Sequence, residues 1–310
     1  MIKCNSETIK QKALDLGFSI VGISEAEHLP ENQKKLNKWI EYGYHASMKW
    51  IPKRLEERGN IFNYFPEVKS VVAIGMNYYT DEKIGQDNLG KISNYAWGED
   101  YHTILKNKLF ELLKFIQNDF PSVKYRVCVD TSPIMDKVWA QKSGLGWQGK
   151  HTTLINKEYG SWLFLGELLL DIPLEYDKPF DQDLCGNCTK CIDSCPTGAL
   201  SDYVLDSNKC ISYLTIEHRG EFKNGSSEKL DGWIYGCDIC QDVCPWNIKF
   251  STISNEESFY PRDQIKKMDI EKWKLMNEDE FKKIFKKSPV KRTKFEGLKR
   301  NIETVVKYSK

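Results

Sequence analysis

Hydrophobic residues recur along the first half of the chain with two different spacings, which alternate. The helical spacing is clearest at residues 100–118, where Tyr101, Leu105, Leu109, Leu112 and Ile116 return every three or four positions. Short runs that are almost continuously apolar predict buried strands. Predicted helices span residues 6–17, 32–42, 100–118 and 133–143, and predicted strands span residues 18–23, 68–76, 125–130, 152–155 and 161–170. Such alternation over about 175 residues predicts an α/β or α+β domain.

Two predicted helices have candidate N-cap residues, and the second of them lies next to a candidate catalytic residue. Ser6 is a plausible N-cap for the first helix, which Gly17 would end. Ser132 is a plausible cap for the fourth, because Pro133 suits the first helical position. Asp130 would then end a strand and stand immediately before a helix, a place where loops often carry catalytic groups.

Three regions follow from the composition along the chain. We predict a domain of mixed helices and strands at residues 1–176, a cysteine-rich domain at residues 177–255 and a basic helical region at residues 256–310. Within the first region, residues 80–91 are polar and predict a loop.

Charge is unevenly distributed over the 310 residues, although the net charge is only +1. From Lys282 onward there are eleven Lys and Arg residues against the two acids Glu296 and Glu303. Such a segment indicates a polyanionic partner, or it is simply a solvated helical face. No apolar run reaches 18 residues and the N-terminus has no apolar signal region, so we expect a cytoplasmic protein without membrane contact. We also expect a monomer.

The cysteines carry the most specific pattern in the chain. Cys185, Cys188, Cys191 and Cys195 with Pro196 form the run C-x2-C-x2-C-x3-C-P, which is the spacing of bacterial two-cluster ferredoxins. A second set, Cys237, Cys240 and Cys244 with Pro245, repeats its last part, and Cys210 lies between the two sets. Eight thiolates suffice for two [4Fe-4S] clusters.

The pairing follows from the rule that the fourth cysteine of such a run ligates the other cluster. Cluster 1 would be held by Cys185, Cys188, Cys191 and Cys244; cluster 2 by Cys195, Cys237, Cys240 and, by elimination, Cys210. Zinc also uses C-x2-C pairs, but three cysteines in succession followed by Cys-Pro fit zinc poorly. Disulfides require an oxidising compartment and are usual in small secreted scaffolds.

One glycine motif is misleading. Gly144, Gly146 and Gly149 match G-x-G-x-x-G, but the dinucleotide fingerprint needs a strand before it and a helix after it. Here a helix precedes and an extended segment follows, so we expect the glycines to let backbone approach something bulky and flat. Lys150 is not a P-loop lysine, because His151 stands where Ser or Thr is required.

Two clusters imply an electron path, and a simple carrier would need only the cysteine-rich domain. The region ahead of it should therefore hold an electron acceptor, and its histidines show no metal-ligand spacing, so an organic or organometallic cofactor is implied. Asp130 is the candidate acid, because a carboxyl group beside a large apolar cofactor loses solvation and stays protonated. The alternative is a helix N-terminal acid stabilised by the dipole.

Several stretches together resemble the epoxyqueuosine reductase family. The resemblance covers about residues 5–250 and rests on the cysteine-rich domain and four shorter motifs. These motifs are Gly43-Tyr44 with Met48, Trp97-Gly98-Glu99-Asp100-Tyr101-His102, Val129-Asp130-Thr131, and Gly144-Leu145-Gly146-Trp147 with Gly149-Lys150. The family reduces the epoxide of epoxyqueuosine at the tRNA wobble position to the alkene of queuosine.

The resemblance implies an α+β fold with a nitroreductase-like cobalamin domain and a ferredoxin-like domain. Cobalamin, reduced to Co(I) through the clusters, would act on the epoxide-bearing ring, and Asp130 would be the proton donor. The tRNA would present an extruded nucleotide, and a ferredoxin or flavodoxin would supply low-potential electrons. Residues expected to line cobalamin are Arg58, Ser93, Asn94, Asp130, Lys150, Leu154, Leu165, Ser212, Cys237 and Asp238.

Two other functions remain open from the sequence. A cobalamin-dependent reductive dehalogenase-like enzyme would share the cofactors but would not need a basic tail. A ferredoxin-type electron carrier would leave about 180 N-terminal residues without a role. Of the three functions, only that of an epoxyqueuosine reductase predicts conversion of epoxyqueuosine in tRNA.

Overall fold

The computed structural model of the protein describes residues 4–84, 89–222 and 229–308. Its helices are α1 Ser6–Asp15, α2 Pro30–Glu41, α3 Trp50–Lys53, α4 Leu55–Gly59, α5 Ile61–Tyr64, α6 Tyr101–Gln117, α7 Asp136–Lys142, α8 Lys190–Asp193, α9 Ile211–Ile216, α10 Ile239–Asp242, α11 Pro245–Phe250, α12 Asp263–Lys266, α13 Ile270–Leu275, α14 Glu278–Phe285 and α15 Lys294–Tyr308. Its strands are β1 Ile20–Glu25, β2 Ser70–Asn77, β3 Lys91–Ile92, β4 Tyr125–Cys128, β5 Trp147–Gln148, β6 Leu154–Ile155, β7 Leu163–Leu170, β8 Leu200–Ser201, β9 Val204–Leu205 and β10 Trp233–Tyr235. Part of the predicted loop at residues 80–91, namely residues 85–88, lies outside the described residues.

The central sheet has the order β1-β2-β7-β4, and each neighbouring pair is antiparallel. Of the two classes that the alternation of elements allowed, the sheet is therefore of the α+β kind. The strands β2 and β7 are paired over their full lengths, from Ser70 opposite Leu170 to Asn77 opposite Leu163. All eight residues of β2 are buried, which is why this segment is continuously apolar instead of alternating.

Helices cover both faces of the sheet. Ile9 of α1 and Leu105 and Leu109 of α6 pack with Val72 and Leu168 of the sheet in one core cluster. Trp139 of α7 packs in a second cluster that includes Val71, Leu169 and Cys128. The helical spacing of residues 100–118 thus reflects burial of one side of α6 against the sheet.

One predicted helix cap and one predicted helix start were wrong. The N-cap of α1 is Asn5, whose side chain accepts from the backbone N–H of Thr8, while the Ser6 hydroxyl accepts from the backbone N–H of Glu175. The helix α7 begins at Asp136, so Ser132 and Pro133 do not start it. Residues 129–135 instead form an irregular loop between β4 and α7.

The glycine motif makes a hairpin. Trp147 in β5 pairs with Ile155 in β6, and a Cβ on Gly146 would lie 2.1 Å from the carbonyl oxygen of Ile155. A Cβ on Gly144, whose φ is +80°, would lie 2.8 Å from the carbonyl oxygen of Lys178. These glycines therefore admit the chain's own backbone, and the expectation that they approach a bulky ligand was wrong.

A separate hydrophobic core joins all three predicted regions. It contains Trp97 from the first region, Tyr235 from the second, and Phe285 and Leu298 from the third. The basic helical region is consequently packed against the rest of the molecule and shares its interior. No helix within the described residues is both long enough and apolar enough to span a membrane.

Candidate active site

A cavity of about 960 Å³ opens where the three predicted regions meet. Apolar and aromatic side chains form part of its wall, and charged groups from distant segments form the rest. Its lining residues include Met48, Trp50, Tyr95, Asp100, His102, Lys106, Asp130, Lys137, Cys210, Ser212, Tyr213, Glu217, Lys291 and Arg292. This combination of apolar walls with a few convergent polar groups is typical of ligand sites.

Asp130 occupies the irregular loop between β4 and α7. Its φ is +55°, a left-handed conformation that is uncommon outside glycine but more frequent for aspartate and asparagine than for most other residues. The backbone N–H of Thr131 donates to the carbonyl of Val129 at 2.6 Å, which closes a tight turn around the aspartate. The side chain is 61% exposed and opens on the cavity. Because α7 begins only at Asp136, Asp130 is not a helix N-terminal acid.

His102 connects Asp130 to a second carboxylate. Its Nε2 lies 3.2 Å from Asp130 Oδ2, and its Nδ1 lies 2.7 Å from Asp100 Oδ1. Asp100 is the N-cap of α6 and also accepts from the backbone N–H of His102. The imidazole stacks on the ring of Tyr101, with centroids 4.1 Å apart. The first turn of α6 therefore holds the imidazole between two aspartates.

The proton positions in this group follow from its charges. Burial lowers the pKa of His102, but hydrogen bonds and charge from Asp100 and Asp130 outweigh it and raise the pKa to about 9. The surrounding protein partly desolvates Asp130, which raises its pKa. The hydrogen bond from His102 and the positive charges of His102, Arg292 and Lys137 outweigh this effect, so the pKa of Asp130 is lowered. These shifts favour an imidazolium on His102 beside a carboxylate on Asp130. The neutral carboxyl was expected for Asp130 next to a bound cofactor, and it stays a prediction for that state.

Basic residues from the C-terminal region complete the rim. Lys291 Nζ lies 2.8 Å from Asp100 Oδ2. Arg292 binds both carboxylate oxygens of Glu217, with Nε and Nη2 at 2.9 and 2.8 Å. Both cations belong to the 3₁₀ turn Pro289–Thr293. Part of the basic tail therefore belongs to the cavity instead of to an open helical surface.

Behind Asp130 lies a buried carboxyl pair. Burial, with the charge of Asp130, raises the pKa of Asp136 to about 6, and burial with Asp136 raises the pKa of Glu167 well above its usual value. Glu167 lies in the middle of β7, opposite Ala73 and Cys128. Neither of its carboxyl oxygens has a hydrogen-bond partner among the described residues. Burial therefore favours the protonated form of Glu167.

The thiols of the cysteine-rich region act electrostatically on one another. Burial raises the pKa of Cys191 to about 11, with additional effects from Cys244, Cys185 and Cys188. The pKa of Cys237 is raised first by burial, and also by Cys240 and Cys210. In addition to burial, Cys195 raises the pKa of both Cys210 and Cys240, and Cys191 also raises the pKa of Cys240. Each of the ten cysteines lies in the described part of the chain, and none of them forms a disulfide there.

The arrangement of these thiols is wider than a single-ion site. No three His, Cys, Asp or Glu side chains in the described ranges converge closely enough to hold one metal ion. In a cubane cluster each thiolate binds a different iron, so its four ligands stand farther apart than those of one zinc ion. Cys210 is notable because it also lines the cavity that contains Asp130.

The other predicted site residues form smaller groups. Ser93 donates through its hydroxyl, and Asn94 through its backbone N–H, to the Asp238 carboxylate. Burial, with Asp242, raises the pKa of Asp238 to about 7, although these two hydrogen bonds oppose the shift. Ser212 lines the cavity. The remaining positions are Leu154 packed with Leu165 in an internal cluster, Lys150 at 3.5 Å from Asp202, and Arg58 over the ring of Trp50.

Sequence reasoning did not assign roles to four residues of the cavity. His102 and Asp100 were seen only as part of a motif, and Lys291 and Arg292 only as part of a basic tail. The Asp-x-His order at a helix start was the one local indication, because an N-cap aspartate lies next to the side chain two positions later. The meeting of these residues depends on tertiary contacts.

Two family models match the chain. Residues 58–131 match the model described as "Epoxyqueuosine reductase QueG, DUF1730". Residues 184–247 match the "4Fe-4S double cluster binding domain", so the cysteine-rich region is a domain for two four-iron clusters.

Curated relatives match nearly the whole chain. An epoxyqueuosine reductase of Cyclobacterium marinum is 44% identical, over 98% of this chain and 97% of its own. One of Escherichia coli K12 is 39% identical, over 93% of this chain and 76% of its own. A crystal structure of an epoxyqueuosine reductase with an epoxyqueuosine-modified tRNA stem loop has a TM-score of 0.88, with 28% identity, over 97% of this chain and 80% of that chain. This chain belongs to the epoxyqueuosine reductase family of oxidoreductases.

Proposed function

We propose that this enzyme reduces the epoxide of epoxyqueuosine in the tRNA anticodon wobble position to queuosine, with cobalamin and two iron–sulfur clusters as cofactors. The observation that carries the proposal is that Asp130 and Cys210 line one cavity. A proton donor and a cluster ligand then face the same bound molecule. Electrons and protons could then reach one reacting group within the same cavity.

The two clusters are assigned as the spacing predicted. Cys185, Cys188, Cys191 and Cys244 would hold cluster 1, and Cys195, Cys210, Cys237 and Cys240 would hold cluster 2. The mutual electrostatic effects within these sets support the assignment. Cluster 2 would be the one next to the cavity, and a low-potential donor of the ferredoxin or flavodoxin type would deliver electrons to cluster 1.

The cavity fits cobalamin in size and in chemistry. A volume of about 960 Å³ is at the upper end for ligand pockets, which suits a macrocycle. Met48, Trp50 and Tyr213 offer apolar surface for a flat ring, while Ser212 and Lys137 offer partners for its amide arms. Bound there, cobalamin would supply a strongly reducing cobalt centre. Arg58, Ser93, Asn94, Lys150, Leu154, Leu165, Cys237 and Asp238 are proposed as further cofactor contacts.

Asp130 is proposed as the proton donor to the departing epoxide oxygen. The tight turn at Val129–Thr131 holds its carboxylate on the open side of the cavity, where a substrate can reach it. A substrate and cofactor that displace water would raise the pKa of Asp130 from its lowered value and favour the protonated donor. The wobble nucleotide must leave its stack to enter such a cavity, and a relative has been crystallised with a modified tRNA stem loop.

The same proposal divides the chain by role. Residues 1–176 would bind cobalamin and carry out catalysis, residues 177–255 would carry the clusters, and residues 256–310 would contact tRNA. The shared hydrophobic core of Trp97, Tyr235 and Phe285 packs these three regions against one another. A tRNA substrate would place the enzyme in the cytoplasm.

The proposal is tested by turnover of a stem loop that contains epoxyqueuosine. Anaerobic enzyme with cobalamin and a low-potential donor should convert it to the queuosine form. Asp130→Asn should bind cobalamin normally but lose roughly a hundredfold or more in rate, the usual contribution of a general acid. Asp15→Asn, an exposed aspartate at the end of α1, is the matched control. Absence of conversion by the wild-type enzyme, or reduction of only a small halogenated compound, would overturn the proposal.

A further inference from the structure

The proposed reaction needs more protons than Asp130 can hold. Converting an epoxide to an alkene consumes two electrons and two protons and releases one water molecule. The clusters can deliver the electrons one after another, but a carboxyl group carries one proton at a time. Asp130 must therefore be protonated again within each turnover, or a second group must supply the other proton.

We propose that His102 is the proton-supplying residue that refills Asp130 within a turnover, and that Asp100 is the positioning residue that holds His102 for this transfer. The inference rests on the proposed function, because it assigns a partner to the proposed donor. It adds a second residue to the proton supply and a direction for the transfer.

The hydrogen bonds give this direction. The Nε2 atom of His102 points to Asp130, 3.2 Å away, and Nδ1 is bound to Asp100 at 2.7 Å. Loss of the Nε2 proton would leave the neutral tautomer that carries hydrogen on Nδ1. Asp100 stabilises that tautomer and keeps the ring in place, because an acceptor fixes the proton on the nitrogen it contacts. The shorter contact to Asp100 therefore favours transfer from Nε2.

The transfer balances as follows. The Nε2–H bond of His102 breaks and an O–H bond forms on Asp130, so the imidazolium becomes neutral and the carboxylate becomes neutral. The Asp130 O–H bond then breaks as a bond forms to the substrate oxygen, which leaves as water once two protons have been supplied. His102, whose side chain is 26% exposed, regains its proton from water in the cavity.

All charged groups around His102 bear on its protonation. The carboxylates Asp100 and Asp130 are its direct partners, and Glu217 lies farther along the cavity wall. The opposing cations are Lys106 on α6, Lys137 on α7, and Lys291 and Arg292 on the 3₁₀ turn. Lys291 and Arg292 are each paired with a carboxylate, Asp100 and Glu217. The net effect raises the pKa of His102 to about 9, so the residue is charged at neutral pH.

The most informative substitution at His102 keeps a hydrogen-bond donor near Asp130 but removes the group that titrates. His102→Gln can still donate a hydrogen bond to Asp130, but it cannot take up or release a proton in this range. We expect its conversion rate at pH 7 to fall by roughly tenfold to a hundredfold. The wild-type rate should also decline as the pH rises through about 9, where His102 loses its proton, and His102→Gln should lack that decline. His28→Gln, which removes an exposed imidazole bonded to Gln33, is the matched control.

A second measurement does not depend on turnover. In nuclear magnetic resonance titrations of the imidazole, His102 of the wild-type protein should titrate near 9. Asp100→Asn and Asp130→Asn should each lower that value toward about 6.5, the ordinary value for histidine. Added imidazole should restore part of the rate of His102→Ala, because the cavity is wide enough to admit it.

The Asp130 and His102 variants distinguish the role of the proton donor from that of the residue that refills it. If Asp130→Asn is inactive while His102→Gln keeps the wild-type rate and pH profile, Asp130 remains the donor and the role of His102 is refuted. An imidazole that titrates near 6.5 in the wild-type protein refutes it as well. If Asp130→Asn is fully active, the proposed function loses its proton donor and this inference falls with it.

Discussion

The ammonium group of Lys291 lies 2.8 Å from the carboxylate of Asp100, although the two residues belong to opposite halves of the chain. Asp100 caps α6 and holds His102, whereas Lys291 belongs to a 3₁₀ turn in the C-terminal region. The contact therefore joins a segment that looks like a solvated basic tail to the proton-carrying group of the cavity. It keeps Asp100 ionised, since Lys291 and His102 together hold the pKa of this carboxyl below its usual range against the effect of burial.

Lys291→Gln should reduce turnover only moderately. The substitution removes one of the two cations that stabilise the Asp100 carboxylate, but His102 remains. Because Lys291 is 54% exposed, such a pair contributes about 1 kcal/mol or less, so the rate should fall by less than about tenfold. The effect should shrink at high salt. The control is Lys299→Gln on α15, where the partner Glu303 is 4.0 Å away. Equal turnover rates for the two variants would show that Lys291 does not contribute to catalysis.

Cys210→Ser should remove one cluster. Wild-type protein reconstituted anaerobically should contain about eight irons, and the variant about four, because cluster 2 would lose a thiolate. Cluster 1 should keep its electron paramagnetic resonance signal while turnover is lost. Cys4→Ala, a buried thiol far from both groups in sequence, should retain about eight irons. A Cys210→Ser protein with full iron content would remove Cys210 from the ligand set.

The lysines Lys283, Lys286 and Lys287 should contribute to tRNA binding. They line a surface cavity of about 760 Å³ that also includes Arg262. Changing all three to Gln should weaken binding of a tRNA stem loop and reduce the slope of log K against log salt by about one for each lost phosphate contact. The matched triple change is Lys12, Lys34 and Lys35 to Gln on α1 and α2. If both triple variants keep the wild-type slope, the C-terminal lysines belong to a solvated face.

Glu167→Gln should stabilise the protein at neutral and alkaline pH. Glu167 is 0% exposed and its pKa is raised by burial. A raised folded pKa means that stability is lost as the pH rises above the unfolded value of about 4.5. Gln has the shape of the protonated acid and does not ionise, so the variant should gain about 1.4 kcal/mol per pH unit over wild type until Glu167 ionises in the folded state.

Thermal midpoints measured anaerobically between about pH 5.5 and 8 test this claim. Glu111→Gln, on the exposed side of α6, should leave the pH dependence unchanged. A Glu167→Gln protein that follows the wild-type pH dependence would show that Glu167 is ionised inside the sheet.

Local pattern was enough for some elements of the fold. The repeat of Leu105, Leu109 and Ile116 defined α6 to within one residue at each end, because one face of a long helix is buried. The start of α1 could not be decided in the same way. Asn5 and Ser6 are both good caps, and the contact that occupies the Ser6 hydroxyl comes from Glu175, far along the chain.

The order and direction of the strands in the central sheet could not be predicted from the sequence either. Apolar runs predicted where strands lie, but β7 pairs with both β2 and β4, and each pairing is antiparallel. Runs buried on both faces occur in parallel and antiparallel sheets alike, so the pattern does not choose between them. The choice depends on how α1, α6 and α7 cover the two faces.

The sequence by itself determined that this protein binds two four-iron clusters. Most of the cysteines stand in two short runs, each ending in Cys-Pro, so the signature of a two-cluster domain lies in local spacing that the chain itself records. Only the tertiary structure decided where protons are held. Asp130, His102 with Asp100, and Lys291 come from three separate segments, and their charges act on one another only after folding brings them within 2.7 to 3.2 Å. Electrostatic interaction depends on distance in space, which no local spacing records.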